Sequence, residues 1–206
     1  MNKHQNDRVL VDSTHVQDMF LLGPLFRFIA RCYIFFTGWK LVGDVPDENK
    51  VVAVVGPHTS NWDFPIFISM ALAKDIRFRY FGKDKLFEGR AGWLFRVLGG
   101  IPVSRGTQQA SDLVNSAVAA FDARQKMILG IAPEGTRSGD GSWKTGFYRI
   151  AVAANVPIML IYLDAPKKEV GIQGLFYPTG DMEADIAELK TFYASKQGIK
   201  PSAKKF

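Results

Sequence analysis

A histidine and an aspartate in the first third of the chain are spaced for proton transfer. His58 and Asp63 are separated by four residues and follow an apolar run, residues 51–55, that is typical of a buried strand. The carboxyl ends of such strands are where ligands bind in open α/β sheets. If Asp63 accepts the Nδ1 proton of His58, the other ring nitrogen, Nε2, can act as a general base. The residues alone leave a second interpretation open, in which Asp63 is an ordinary cap at the start of a helix. The other two histidines, His4 and His15, lie in a polar N-terminal leader.

Charged and polar residues also follow a second apolar run, residues 127–131, in the segment PEGTRS. The candidate ligand-binding residues of this segment are Glu134, Gly135, Thr136 and Arg137. A buried strand that ends in charges needs partners for them. Two interpretations remain open at this point: Glu134 and Arg137 pair with each other at a sheet edge, or the group binds a polar ligand.

A glycine-rich segment, GGIPVSRG at residues 99–106, combines a flexible backbone with a guanidinium. Its backbone N–H groups and Arg105 suit a phosphate, because both donate hydrogen bonds to anionic oxygen atoms. Basic side chains outnumber acidic ones between residues 64 and 106, so a positive field surrounds this segment. The alternative interpretation is an ordinary glycine-rich turn.

Residue counts and missing motifs exclude several other kinds of site. Cys32 is the single cysteine, so neither an internal disulfide nor a four-cysteine zinc site can form. The chain has no phosphate-binding G-x-x-x-x-G-K-[ST] loop, no G-x-S-x-G turn and no G-x-G-x-x-G after a strand. We therefore expect no metal, no bound cofactor and no covalent cysteine or serine catalysis. The cysteine usage predicts a cytoplasmic location, and the net charge of +6 favours anionic partners.

The order of apolar patterns predicts the elements that position these residues. A chain of 206 residues with 47% hydrophobic and 22% charged residues suits one globular domain. Apolar runs predict strands at residues 51–55, 77–81, 101–103, 127–131 and 157–163. Helical spacing predicts helices from about residue 63, at 109–124, at 145–154 and at 181–194. This alternation predicts an α/β fold, a single domain with a mixed, mostly parallel sheet flanked by helices. The lysine-bearing residues after Ala194 are expected to form a solvated tail.

The N-terminal region divides into a polar leader, residues 1–18, and an amphipathic apolar helical segment, residues 19–42, ahead of the main domain, residues 43–206. Charged residues break the apolar segment into runs well short of the roughly 20 residues that span a bilayer. In a helix, Arg27 and Arg31 lie on one polar stripe. Two interpretations remain open: the helix packs on the protein core, or it lies in a membrane interface with both arginines at the headgroups.

Four short blocks occur in a characteristic order along the chain. They are H-x4-D at residues 58–63, GIPV-x-R at 100–105, PEGTRS at 133–138 and VPI at 156–158. Together they resemble the ordered blocks of the glycerolipid acyltransferase family, which contains the lysophosphatidate acyltransferases. The resemblance covers residues 51–163, and residues 43–206 are accordingly expected to be an acyltransferase domain. Ala132 departs from the family pattern, which usually has an aromatic residue before Pro-Glu-Gly.

The resemblance implies an enzyme of phospholipid biosynthesis. It would move a fatty acyl group from an acyl thioester, acyl-CoA or acyl carrier protein, to a hydroxyl of a lipid acceptor, most simply a lysophospholipid such as 1-acylglycerol-3-phosphate. His58 would be the base and Asp63 the residue that orients it. The acceptor-phosphate site would be formed by Arg105, Glu134, Gly135, Thr136 and Arg137.

The resemblance also implies the partners and the location of the protein. We expect an acyl thioester donor, a lipid alcohol and a membrane surface as partners, and no nucleic acid. The expected location is peripheral, on the cytoplasmic face of a membrane. Two alternatives stay open: a non-catalytic module that binds phospholipid or acyl chains, and a hydrolase or thioesterase that uses the same site. A binding module would have little reason to keep His58 together with Asp63.

Overall fold

The computed structural model describes residues 15–19, 21–103, 110–135 and 142–200. In this part of the chain seven strands form one sheet, and α-helices cover both of its faces. The strands are β1 (Lys40–Val42), β2 (Lys50–Gly56), β3 (Phe78–Lys83), β4 (Gly100–Val103), β5 (Met127–Ile131), β6 (Ile158–Asp164) and β7 (Glu169–Phe176). The helices are α1 (Leu22–Thr37), α2 (Asp63–Ala73), α3 (Gly92–Val97), α4 (Ala110–Asp122), α5 (Gly146–Ala153) and α6 (Met182–Ala194). Short 3₁₀ helices lie at Val16–Asp18 and Asp84–Phe87.

The strand order is β1-β7-β6-β2-β5-β3-β4, and every neighbouring pair is parallel except β6 and β7. The sheet is therefore mixed and mostly parallel, which confirms the predicted α/β fold. Strand β2 lies between β6 and β5, and its residues 52–54 are fully buried. A strand covered on both faces needs apolar side chains at every position, which is why residues 51–55 form a continuous apolar run rather than an alternating one.

Alternate side chains of β2 enter two separate cores because successive strand residues point to opposite faces. Val52 and Val54 face α4, α5 and α6, in a cluster that contains Phe121, Phe147 and Tyr193. The other cluster contains Val51, Ala53 and Val55 of β2 together with residues of α1 and α2. Each fully buried large apolar side chain contributes about 1.5–3 kcal/mol, so the central strand is held from both sides.

Among the strands and α-helices of the described residues, three lie outside the predicted set: β1, α3 and β7. Strand β7 turns back from β6 as an antiparallel neighbour, and β1 pairs with β7 at the sheet edge. Glycines at 171 and 174 interrupt the apolar pattern of β7, and β1 is only three residues long. Such short or glycine-containing strands carry little periodic signal.

Among the described residues of the predicted helical segment 19–42, α1 is the α-helical part; it ends at Thr37 and is followed by Gly38 in a left-handed conformation with φ of 73°. Residues 40–42 form β1 and belong to the sheet, so the predicted domain boundary at residue 43 falls one residue after a strand. Phe20 lies outside the described residues. None of the helices in the described ranges is both long enough and apolar enough to cross a membrane.

One face of α1 packs on the domain through Ala30 and Ile34, while the opposite face is open. The exposed large apolar residues of this segment are Leu21, Leu25, Phe28, Ile29, Phe35 and Phe36. Arg27 is not on the open face, because its guanidinium contacts the Asp75 carboxylate at 2.5 Å. Arg27 and Arg31 lie one turn apart on α1, as the spacing predicts, but the Arg27 guanidinium is already engaged by Asp75. Arg31 is exposed.

The end of the predicted polar leader is packed against the domain. Val16 is fully buried, His15 is nearly so, and the Arg77 guanidinium contacts the Asp18 carboxylate at 2.8 Å. Burial is the largest cause that lowers the pKa of His15 from 6.5 to about 4, with the positive charge of Arg79 next.

Candidate active site

Two neighbouring parallel strands bring the predicted site residues together. His58 follows the end of β2, Glu134 follows the end of β5, and the two strands are hydrogen-bonded to each other in parallel. Their carboxyl ends therefore meet at one edge of the sheet, where ligands bind in this class of fold. Helix α2 begins at the same edge with Asp63.

The His58 imidazole faces the Asp63 carboxylate, with 3.2 Å between Nδ1 and Oδ2. Asp63 is fully buried, whereas the His58 side chain is 25% exposed, so a substrate can approach the imidazole. A carboxylate that accepts the Nδ1 proton leaves Nε2 with the free electron pair that a general base needs.

Asp63 also organises the loop that precedes it. Its Oδ2 accepts backbone N–H groups from Thr59 at 2.6 Å and from Ser60 at 2.7 Å. Trp62, not Asp63, is the residue before the first turn of α2, and it makes no side-chain cap. The interpretation of Asp63 as an ordinary helix cap is therefore wrong, because its carboxylate turns back toward the histidine and the loop.

Glu134 contacts the backbone of the histidine. Its Oε1 accepts the His58 N–H at 3.1 Å, across 76 positions of the sequence. Oε2 is buried and has no hydrogen-bond partner among the residues that the structure describes. Burial raises the pKa of the Glu134 carboxyl above its ordinary value of 4.5, although backbone hydrogen bonds partly oppose this shift.

A small residue before the loop leaves room for this contact. A Cβ placed on Gly56 would lie 3.3 Å from Glu134 Oε1 and 3.4 Å from the Tyr193 ring. Any larger side chain at position 56 would push Glu134 or Tyr193 away. The glycine at the end of β2 thus lets Glu134 reach the His58 N–H.

The remaining predicted site residues divide into two groups. Gly135 is described and adopts a left-handed conformation with φ of 65° next to Glu134. Arg105, Thr136 and Arg137 lie outside the described residues. Within the described ranges, no group of three or more His, Cys, Asp or Glu side chains is placed to hold a metal ion.

Tyr193 of α6 packs against the end of β2 beside the site, and no sequence pattern indicated this role. Its hydroxyl lies 2.8 Å from the Val54 carbonyl oxygen and 3.1 Å from that of Ile161, so it bridges β2 and β6. Burial raises the pKa of this hydroxyl well above its ordinary value, which keeps its proton available for donation. Only the three-dimensional arrangement could have shown this role, since the two carbonyls are far from Tyr193 in sequence.

Lys144 is a second residue that sequence reasoning missed. Its backbone N–H donates to the Pro133 carbonyl at 2.7 Å, and its side-chain stem lies 3.4 Å from where a Cβ on Gly135 would be. The residue is exposed, so a cation lies beside the Glu134-Gly135 loop. A lysine close after a charged loop was the one available signal.

Comparison with known proteins finds a solved structure of similar fold and a matching family model. A solved structure similar to this chain is that of the 1-acyl-sn-glycerophosphate (LPA) acyltransferase, PlsC, from Thermotoga maritima. The two share 19% sequence identity with a TM-score of 0.61, over 89% of this chain and 82% of that one, so they share a fold. A sequence search among curated proteins finds no match. The family model described as Acyltransferase matches residues 41–164, which include His58, Asp63, Glu134 and Gly135. The chain is therefore a member of the Acyltransferase family and an enzyme of that class.

Proposed function

We propose that this protein transfers a fatty acyl group from an acyl thioester to a hydroxyl of a lysophospholipid such as 1-acylglycerol-3-phosphate. The donor would be acyl-CoA or acyl carrier protein. The observation that carries the proposal is the contact between His58 Nδ1 and Asp63 Oδ2 at the end of β2, in a chain of the Acyltransferase family. The Thermotoga maritima protein of the same fold is described as a 1-acyl-sn-glycerophosphate acyltransferase, which supports this acceptor class.

The proposed reaction needs a base but no covalent enzyme intermediate. His58 Nε2 takes the proton of the acceptor hydroxyl while the hydroxyl oxygen forms its bond to the thioester carbonyl carbon. The carbon–sulfur bond of the tetrahedral intermediate then breaks, and the imidazolium returns its proton to the leaving thiolate. The Asp63 carboxylate stabilises the imidazolium between these two steps. General-base catalysis of this kind contributes about 10²–10⁴ in rate.

The phosphate of the acceptor would be held at the loops beside the base. We assign this role to Arg105, Thr136 and Arg137, with Gly135 and the cation of Lys144 as the described part of the site. Glu134 has a different task in this proposal, because its Oε1 holds the His58 backbone rather than a substrate hydroxyl.

The open face of α1 supports a membrane surface as a partner. Its C-terminal end lies at the edge of the sheet that carries His58, because Lys168, in the turn after β6, donates its Nζ proton to the Thr37 carbonyl at 3.0 Å. Phe35 and Phe36 are 78% and 81% exposed there. A lipid chain gains about 0.8 kcal/mol for each buried CH₂, so an enzyme that handles lipids benefits from working on a leaflet. We propose a peripheral protein on the cytoplasmic face.

One assay separates this function from the alternatives. The protein is mixed with acyl-CoA or acyl carrier protein as donor and with 1-acylglycerol-3-phosphate, and both the free thiol and the two-chain product are measured. Thiol release that depends on the acceptor and matches product formation supports transfer. Thiol release without acceptor indicates a thioesterase, and donor binding without either product indicates a binding module. The His58→Ala variant is the control for activity from this site.

A further inference from the structure

Residues 195–200, which follow α6, are docked beside the site, contrary to the solvated tail expected from their lysines, and the rest of that predicted tail lies outside the described residues. We call residues 195–200 the C-terminal strap. The Gln197 carbonyl accepts the Ala165 N–H at 2.8 Å just after β6, and Ile199 packs against the core on the α1 and α2 side of the sheet. The Lys196 ammonium lies 4.2 Å from the centre of the Tyr162 ring. The strap is therefore fixed to the domain at three of its six residues, Lys196, Gln197 and Ile199.

The strap ends against the loop that carries the proposed base. The Lys200 backbone N–H donates to Thr59 Oγ1 at 3.2 Å. Gly198 is buried at this contact, and a Cβ on it would collide with Thr59 Oγ1 and Cγ2 and lie 2.9 Å from Thr59 Cβ. Because both branches and the Cβ of Thr59 are involved, rotation of the Thr59 side chain cannot make room. Only glycine at position 198 allows the strap to approach this closely.

We propose that the C-terminal strap is a positioning element for the His58–Asp63 pair. Thr59 is the residue next to His58, and its N–H donates to the same Asp63 Oδ2 that faces the imidazole. By holding Thr59 from outside, the strap fixes the backbone that sets the distance between base and carboxylate. The inference deepens the proposed function and rests on it, because positioning matters to turnover only if His58 is the base.

The direct test is Gly198→Ala, whose added methyl displaces Thr59. A misplacement of about 1 Å can lower a rate by about 10². We therefore expect kcat to fall by about 10- to 100-fold while both KM values stay within about threefold, since the substrate contacts are unchanged. Gln197→Ala, a change of an exposed neighbouring side chain that keeps the backbone, is the matched control and should keep wild-type kcat.

Rescue distinguishes a contact with Thr59 from a general loss of structure. Thr59→Ala removes the two branch atoms that the new methyl meets. The loss of kcat on adding Gly198→Ala to Thr59→Ala should therefore be much smaller than the loss on adding it to the wild type. In ¹⁵N-labelled protein the amide resonances of Thr59 and Ser60, which donate to Asp63, should shift in Gly198→Ala and return toward their Thr59→Ala reference positions in the double variant.

A second pair of variants covers the case in which Gly198→Ala does not fold. Both substitutions remove the lysine side chain, but Lys200→Pro also removes the N–H that Thr59 Oγ1 accepts and fixes the backbone φ, whereas Lys200→Ala keeps that N–H. The proposal predicts a lower kcat for the proline variant than for the alanine variant, at equal melting temperature. Equal kcat in these two variants would overturn it.

The outcomes also separate this inference from the proposed function. If His58→Ala is inactive but Gly198→Ala turns over like wild type, the strap has no positioning role and the proposed function stands. If the Thr59 amide does not move, or activity is lost only in step with melting temperature, the strap is merely structural and the inference is wrong. If His58→Ala keeps its activity, the proposed base is wrong, and the positioning inference falls with it whatever the amide shifts show.

Discussion

Replacement of Asp63 by asparagine removes the negative charge of the His58–Asp63 pair while keeping the shape of the side chain. Among the described residues, three groups contact this side chain, the His58 ring and the N–H groups of Thr59 and Ser60, and all three meet one oxygen, Oδ2. An asparagine can place its single amide oxygen at that position and keep all three contacts. Its NH₂ group then takes the place of Oδ1, which accepts no hydrogen bond from the residues that the structure describes.

The size of the effect follows from the distance between the two groups. Two unit charges 3.2 Å apart attract by about 5 kcal/mol at an effective dielectric constant of about 20. Only part of this acts on the reaction, because the proton is only partly transferred to the imidazole in the transition state and the His58 side chain is 25% exposed to water. With about 1.5–3 kcal/mol lost from the transition state, Asp63→Asn should lower kcat by about 10- to 100-fold. His58→Ala removes the base itself and should lower kcat by at least about 10², with little change in thermal stability.

Steady-state kinetics and thermal unfolding of four proteins test this reasoning. Wild type, His58→Ala and Asp63→Asn are compared with Asp122→Asn, a change at an exposed aspartate on the last turn of α4 that should have no effect. Near wild-type turnover in a folded His58→Ala protein rules out the mechanism. An Asp63→Asn variant that is as inactive as His58→Ala at unchanged melting temperature would refute the claim that asparagine preserves the geometry.

Three further changes give independent predictions. Burial raises the pKa of the Glu134 carboxyl above 4.5, so the native state binds this proton more tightly than the unfolded state does. The free energy of unfolding should therefore fall as pH rises above 4.5. In thermal unfolding between pH 4 and 8, Glu134→Gln should show a weaker dependence of stability on pH. The pKa of His15 is lowered to about 4, so this residue contributes stability above pH 6.5, on the order of 3 kcal/mol, that is lost as pH falls toward 4. Denaturant unfolding at pH 7 and pH 4.5 should show this loss in the wild type and a smaller loss in His15→Gln. Replacing Phe35 and Phe36 together by serine should weaken vesicle binding by about 10²-fold in co-sedimentation without lowering the melting temperature, because both rings are exposed.

The parts of the fold that were predictable are those set by local pattern. Strands β2 and β5 are buried on both faces, and their continuous apolar runs are readable without a structure. The position of His58 followed from the same reasoning, since residues after such strands meet at the ligand-binding edge. The family blocks then predicted the class of enzyme, which the family match confirms.

The contacts that hold the site were not predictable because they join residues far apart in sequence. Glu134 meets His58 across 76 positions, Tyr193 meets Val54 across 139, and Lys200 meets Thr59 across 141. Each contact depends on the order of the strands in the sheet and on where α6 packs against it. No periodicity within one segment encodes that arrangement. The motif did not show the contact between Glu134 and the His58 backbone for the same reason: it gives residue types but not the neighbour that each side chain reaches.

The geometry of α1 also changes what a membrane contact would consist of. Helical spacing alone placed Arg27 and Arg31 on one stripe, which favours binding through lipid phosphates. In the structure the partly exposed Arg27 is paired with Asp75, whereas Arg31 is exposed beside a broad apolar face. A contact made mainly by aromatic and aliphatic side chains depends on buried area and only weakly on ionic strength, whereas one made by two arginines is screened by salt. Vesicle binding by this protein should therefore persist in high salt, and a steep loss of binding between low and physiological salt would show that headgroup charge, rather than the apolar face of α1, makes the contact.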